Sequence, residues 1–135
     1  MTDTLTPVLT ANWDQPDGFT LAGYRRTGGY RALPKALGTP REDLVAMVKD
    51  AGLRGRGGAG FPTGRKWRTV ASYESPDEPA VVVVNAAEGE PGSFKDRSII
   101  RANPYRVVEG ALIAADAVNA ERIVIATNAR SRARS

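Results

Sequence analysis

Ala80-Val81-Val82-Val83-Val84, closed by Asn85, is the most β-prone run of the chain. Four β-branched residues in a row lose rotamer freedom in a helix and suit a pleated strand. The absence of a polar alternate points to a strand covered on both faces. Downstream, Asn103-Pro104 opens a helix with Pro at its first position. It should run to about Asn119, with Val107, Val108, Leu112, Ile113 and several alanines as its apolar residues. Ile123 to Ala126 reads as a second short strand. Strand, helical connection, strand is a βαβ unit, whose strands are parallel and whose crossover is right-handed. Two strands do not make a stable sheet alone, so the fold class expected is α/β with an incomplete sheet.

Upstream of the valine run, Thr39, Pro40 and Glu42 have capping-box spacing. Leu44, Val45 and Val48 then share one face until Gly52 supplies a stop, which predicts a helix over residues 40 to 51. The next thirteen residues, Gly52 to Gly64, include six glycines, so backbone N–H groups there can approach a flat or anionic ligand without side chains in the way. Arg54, Arg56 and Lys66 add positive charge around this loop. Gly55, Gly57 and Gly60 match G-x-G-x-x-G, but a dinucleotide fingerprint follows a strand, and here a helix precedes it. A P-loop is excluded too, because Arg65 is inserted after Gly64 and Trp67 stands where Ser or Thr should hold magnesium. Spacing alone leaves a structural glycine loop and a cofactor loop equally open. Residues 1–23 are polar and without period, and read as an arm, with Trp13, Phe19 and Leu21 as docking points.

At 135 residues the chain is expected to hold one domain with a small core. Its formal charge is +4, of which Arg130, Arg132 and Arg134 in a short tail contribute +3, leaving +1 for the rest (4 − 3). No basic stripe is left for nucleic acid, and a single Arg54-Gly55-Arg56-Gly57-Gly58 copy lacks the repetition and aromatics of RNA-binding tails. With neither Cys nor His, the chain holds no disulfide, no thiolate-bound zinc and no cysteine-held iron–sulfur cluster, and no metal site is expected. No run approaches the roughly 20 apolar residues of a membrane span, and no leader is legible, so a cytoplasmic location is expected.

In open α/β sheets ligands bind beyond the carboxyl ends of the strands, which is where Asn85, Glu88 and Glu90 fall. A carboxylate there can accept hydrogen bonds from a ribose or an amide. Without other context, Glu88-Gly89-Glu90-Pro91-Gly92 reads as a solvated turn within an acidic loop over residues 85–97. Gly110 reads as a packing contact, and Tyr105 as a cover for the sheet.

Taken together, Gly52 to Trp67 and Asn85 to Arg97 closely resemble the two signature stretches of the flavoprotein subunit of NADH:quinone oxidoreductase, respiratory complex I. They also resemble its relatives in NAD-linked formate dehydrogenases and hydrogenases. The resemblance extends through Tyr24-Arg25-Arg26-Thr27-Gly28-Gly29-Tyr30-Arg31-Ala32-Leu33, Asn103-Pro104-Tyr105 and Glu109-Gly110, covering about residues 24–127. It implies the amino-terminal portion of an FMN-binding domain, flanked by an arm (1–23) and a basic tail (128–135). It implies FMN contacts from Gly55, Arg56, Gly57, Gly58, Lys66, Asn85 and Glu88, with Phe61 stacking on the NADH adenine and Glu90 against the dinucleotide. The chemistry would then belong to the flavin, with no protein acid or base required.

Two departures from the family pattern remove polar groups from the flavin side: Ala87 stands for Asp and Gly89 for Ser. Thr69 stands where a second adenine-stacking aromatic is expected. The family's iron–sulfur-bearing continuation is absent, so the resemblance implies partners: other subunits of an NADH dehydrogenase-type complex, or a chain supplying the missing half of the domain. Attachment to the cytoplasmic face of a membrane complex would follow, without direct insertion. The alternative is a non-catalytic interaction module, or a truncated subunit that no longer binds flavin.

Overall fold

A computed structural model describes residues 6–128. Along the chain run α1 (Leu21–Arg26), α2 (Ala32–Leu37), α3 (Arg41–Asp50), α4 (Thr63–Ser72), β1 (Val81–Ala86), α5 (Lys95–Ala102), α6 (Pro104–Ala117) and β2 (Arg122–Thr127). The strands pair in parallel, Val82 opposite Ile123 and Asn85 opposite Ala126. The α/β class and the βαβ unit are as expected, and the basic tail lies outside the described residues from position 129 on.

The core is not where the valine run places it. Ala36, Leu44, Val45 and Ala117 form the buried cluster, with Trp67 and Ile113 packed on it, so α2, α3, α4 and α6 enclose it rather than helix and sheet. The strand expected to be covered on both faces is covered on one: alternate residues of β1 are exposed, and Val83 keeps 60% of its surface in solvent. A parallel sheet normally carries a layer on each face, and among the described residues only α6 supplies one.

Four helices escape the sequence pattern. α1 and α2 are six residues each, too short to show a period. α1 starts within the supposed arm: the Thr20 hydroxyl accepts from Gly23 N (3.0 Å), and Asp17 holds Arg26 through two oxygens (2.5 and 2.6 Å). α4 hides behind the glycines and a basic, nearly apolar-free face. α5 occupies the end of the supposed acidic loop, with Asp96 in its first turn.

The capping box at Thr39 is not formed. Pro40 is the N-cap residue of α3 and makes no side-chain cap bond. The Thr39 hydroxyl instead donates to Lys35 O (2.8 Å), closing α2. Asn103 precedes α6 as predicted, but its side chain is buried and caps nothing. The ring of Tyr105, expected over the sheet, lies against Tyr24, centroids 6.2 Å apart. Gly110 is no packing contact either, since a Cβ there would meet open space.

Packing does demand glycine at Gly64. A Cβ would stand 2.6 Å from the Lys49 backbone, so the missing side chain lets α4 close onto α3. Trp67, on the same helix, reaches the core through that approach.

Candidate functional site

The glycine loop is pinned at its base and open at its tip. Gly55 N donates to Phe61 O and Thr63 N to Leu53 O (both 2.9 Å), making an antiparallel bridge between Arg54 and Pro62. The Arg54 guanidinium also donates to Gly60 O (3.2 Å). Between these anchors, none of the N–H groups from Arg56 to Phe61 has an acceptor among the described residues. Gly58 and Gly60 sit at φ +98° and +60°, a conformation costly for other residues, and nothing lies within 4 Å of where a Cβ would project at Gly57, Gly58 or Gly60. Consecutive free N–H groups around left-handed residues form a concavity suited to an anion. Arg56 is exposed beside it, as is Lys66, in the first turns of α4. Phe61 is half exposed, and the Arg65 guanidinium lies over its ring, 5.8 Å from the centroid.

At the end of β1, Asn85 Oδ1 accepts from Ala87 N (3.1 Å), turning the chain out of the strand. Glu88 is buried, contrary to a solvated turn. Its carboxylate accepts from Ser93 Oγ (3.1 Å), Asp96 N (3.0 Å) and Arg97 Nε (2.9 Å). Desolvation pushes its pKa up. The Asp96 N–H and the Arg97 and Ser93 side chains outweigh that and hold it below the usual carboxylate value. The group that the resemblance sends to a flavin is thus engaged by three donors of its own segment. Its backbone carbonyl accepts from Asn128 Nδ2 (3.0 Å), tying the turn to the end of β2. Glu90 is exposed, with Lys95 Nζ at 4.0 Å.

The topology sends both stretches to one pole. Trp67 and Ile113 pack on the core cluster, and one turn on, Ala71 and Ala117 line a common cavity of about 530 Å³, so α4 and α6 advance together. α3 runs oppositely: Arg41 and Glu42 at its start line that cavity, while Lys49 near its end meets Gly64. The strands begin beside the cavity pole, where Glu121 N donates to Ala80 O (3.1 Å) just after α6. The glycine loop, the strand ends and the start of α6 therefore lie at the opposite pole. Among the described residues no backbone hydrogen bond joins the loop to residues 85–97.

Two residues that the sequence shows only as parts of a motif carry structural weight here. Glu109, buried on α6, accepts from Tyr24 Oη (2.5 Å), Tyr30 N (2.9 Å) and Leu33 N (3.0 Å), fastening residues 24–33 to the helix. Burial pushes its pKa up; the Tyr24 hydroxyl and the backbone N–H groups more than offset this, leaving it lowered. A carboxylate within the apolar Val107–Ile113 run is the signal that marks it. Arg97 is the other, and nothing local in the sequence shows that it faces Glu88.

Comparison with known proteins bears on the same segments. The family profile described as the Nuo51 FMN-binding domain matches residues 48–134. An NADH-quinone oxidoreductase subunit of Streptomyces coelicolor is 48% identical over 121 residues, 90% of this chain and 26% of the relative. A subunit of the same name-class from Rhizobium meliloti is 51% identical over 117 residues, 85% of this chain and 27% of the relative. Among solved structures, an NAD+-reducing NiFe hydrogenase in the H2-reduced state superposes with a TM-score of 0.66 at 36% identity, covering 78% of this chain and 18% of that one. The chain spans about a quarter of the length of these curated relatives. With the profile covering more than half of its residues, including the glycine loop and both strands, the chain belongs to the Nuo51 FMN-binding domain family.

Proposed function

We propose that residues 24–127 contribute one wall of an FMN and NADH site in an NADH dehydrogenase flavoprotein, working with the polypeptide that completes the sheet and with further subunits of a multi-subunit complex. The observation that carries this reading is the row of unpartnered N–H groups from Arg56 to Phe61, open above Gly57 and Gly58 and flanked by Arg56 and Lys66. The donor set fits the phosphate and flat ring of FMN: backbone N–H groups and two cations for the anion, and no Cβ to hold a planar group away. Gly55, Gly57 and Gly58 would let the ligand approach, and Asn85 would present its amide from the strand end. Glu88 would act by holding the acidic turn in place, because its carboxylate is already engaged. Phe61 would offer its ring to the adenine and Glu90 its carboxylate to the dinucleotide. Bound FMN would supply the hydride-accepting chemistry.

Family membership, relatives that are subunits of NADH-quinone oxidoreductases, and the shared pole of the two stretches support the proposal. No helix among the described residues is long and apolar enough to cross a membrane. A peripheral place on the cytoplasmic side of such a complex agrees with that. The test is a titration of FMN followed by quenching of its fluorescence, with the chain alone and with the completing polypeptide. Saturable binding that weakens at least tenfold in Lys66→Ala is the expected result, the scale of one charge-assisted hydrogen bond. Absence of quenching in both settings favours a second reading, a non-catalytic docking module. The exposed Val83 face and the self-satisfied Glu88 carboxylate are the observations on its side.

A further inference from the structure

We propose that Arg97 is a positioning residue of the flavin site: by neutralising the Glu88 carboxylate inside the Asn85 turn, it keeps that pole receptive to an anionic ligand. The inference rests on the reading of this turn as part of an FMN site, and deepens it by naming the residue that lets a buried carboxylate stand there. The Glu88 side chain is 2% exposed, and Arg97 Nε donates to its Oε2 at 2.9 Å. The same carboxylate accepts from Ser93 Oγ and Asp96 N, so it caps α5 from the preceding turn, while Phe94 at the N-cap makes no side-chain bond. Arg97 stands in the first turn of that helix, where a cation opposes the helix dipole. Helix preference gives no reason for an arginine at this position. The buried carboxylate gives one.

The charge balance of the segment is narrow. Residues 85–97 hold three acids, Glu88, Glu90 and Asp96, and two bases, Lys95 and Arg97, a net of −1 (2 − 3). Lys95 is turned to Asp96 (2.9 Å) and Glu90 (4.0 Å), so among the described residues Arg97 is the one cation paired with Glu88. Without Arg97 the segment carries −2 (1 − 3), and one of those charges is buried. Desolvation pushes the Glu88 pKa up, but its three donors hold it lowered, so the carboxylate is ionised at neutral pH. FMN brings a phosphate to this pole, which Arg56 and Lys66 meet at the glycine loop, and Glu90 is a second carboxylate already read at the site. An unmatched charge on Glu88 would add to that of Glu90 and oppose the phosphate across poorly screened protein. Arg97 Nε is engaged by the carboxylate, so its effect on the ligand passes through Glu88.

The test compares two flavins by fluorescence quenching, using the full chain with its completing polypeptide: FMN, and riboflavin, which has the same ring and no phosphate. Arg97→Ala should weaken FMN about tenfold, the scale of one uncompensated charge, and riboflavin by less than about threefold. Arg97→Lys, which keeps the charge, should hold FMN within about threefold of the native affinity. Arg97→Ala combined with Glu88→Gln removes both charges and should bind FMN within about threefold of Glu88→Gln alone. Removing both members of a buried pair costs far less than stripping one, so the double variant and Arg97→Lys decide the matter even if Arg97→Ala alone does not fold. An unchanged FMN affinity in Arg97→Ala, equal weakening of both flavins, or a double variant that stays about tenfold weaker than Glu88→Gln overturns the inference while the FMN reading stands. If the native chain quenches neither flavin, the FMN reading falls and takes the inference with it.

Discussion

Glu109 shows how one carboxylate organises a segment that has almost no core of its own. Three donors from residues 24–33 converge on it, and Tyr24 completes an aromatic cluster with Tyr30, edge to face at 5.3 Å, and with Tyr105. Glu109→Ala would leave these buried donors unsatisfied and should cost about 3 kcal/mol, read as a lower midpoint in urea denaturation; Glu109→Gln, which keeps the shape and one acceptor, should cost less. The pH dependence follows from the lowered pKa. The contribution of Glu109 is fully present above its ordinary value of 4.5 and is lost as pH falls through the still lower folded value. Tyr24 titrates the other way: desolvation first, then the Glu109 hydrogen bond, raise its pKa above the ordinary 10.0, so its contribution is complete below 10.0 and fades in stronger alkali. Urea midpoints measured from pH 7 down to pH 3 should fall more steeply for the native chain than for Glu109→Gln.

At the level of elements, the α3–α4 pair places the glycine loop, and Gly64 is the contact that sets it. Gly64→Ala forces a Cβ to within 2.6 Å of backbone atoms of Lys49, which cannot yield as a side-chain end could. The helices must separate, drawing Trp67 from the core, at a cost of about 1–3 kcal/mol. A red shift of Trp67 emission together with a lowered thermal midpoint is the expected signature, and an unchanged spectrum and midpoint would show that the helices do not depend on this approach. β1 carries a different consequence. Its outward residues Val81 and Val83, with Val124 beside them on β2, form an apolar strip that α6 does not reach. Val83→Lys should leave far-ultraviolet circular dichroism unchanged and reduce self-association in sedimentation velocity, since a charge on an open sheet opposes sheet-to-sheet contact.

Across the whole molecule, the division between what was legible and what was not follows the range of the interactions. The parallel βαβ unit could be read from residues 80–126 because four consecutive valines and a proline-opened helix are local preferences. The Gly52 stop, at φ +66°, was legible for the same reason. The glycine-lined loop was legible as open backbone, though not as either a structural or a ligand-binding one. Local patterns misled where a partner elsewhere claimed the group: Thr39 closes α2 instead of capping α3, and Glu88 is buried under Arg97 instead of lying in solvent. The short helices α1 and α2 were invisible because they owe their order to Glu109, 76 to 85 residues away. Sequence alone, then, determined the element types of the βαβ unit and the family, since backbone preference and motif are carried by neighbouring residues. Tertiary structure alone decided that the core lies among helices, that the sheet keeps one bare face, and that the glycine loop and the Asn85 turn share a pole. These depend on which distant surfaces meet, and no local run of residues encodes that.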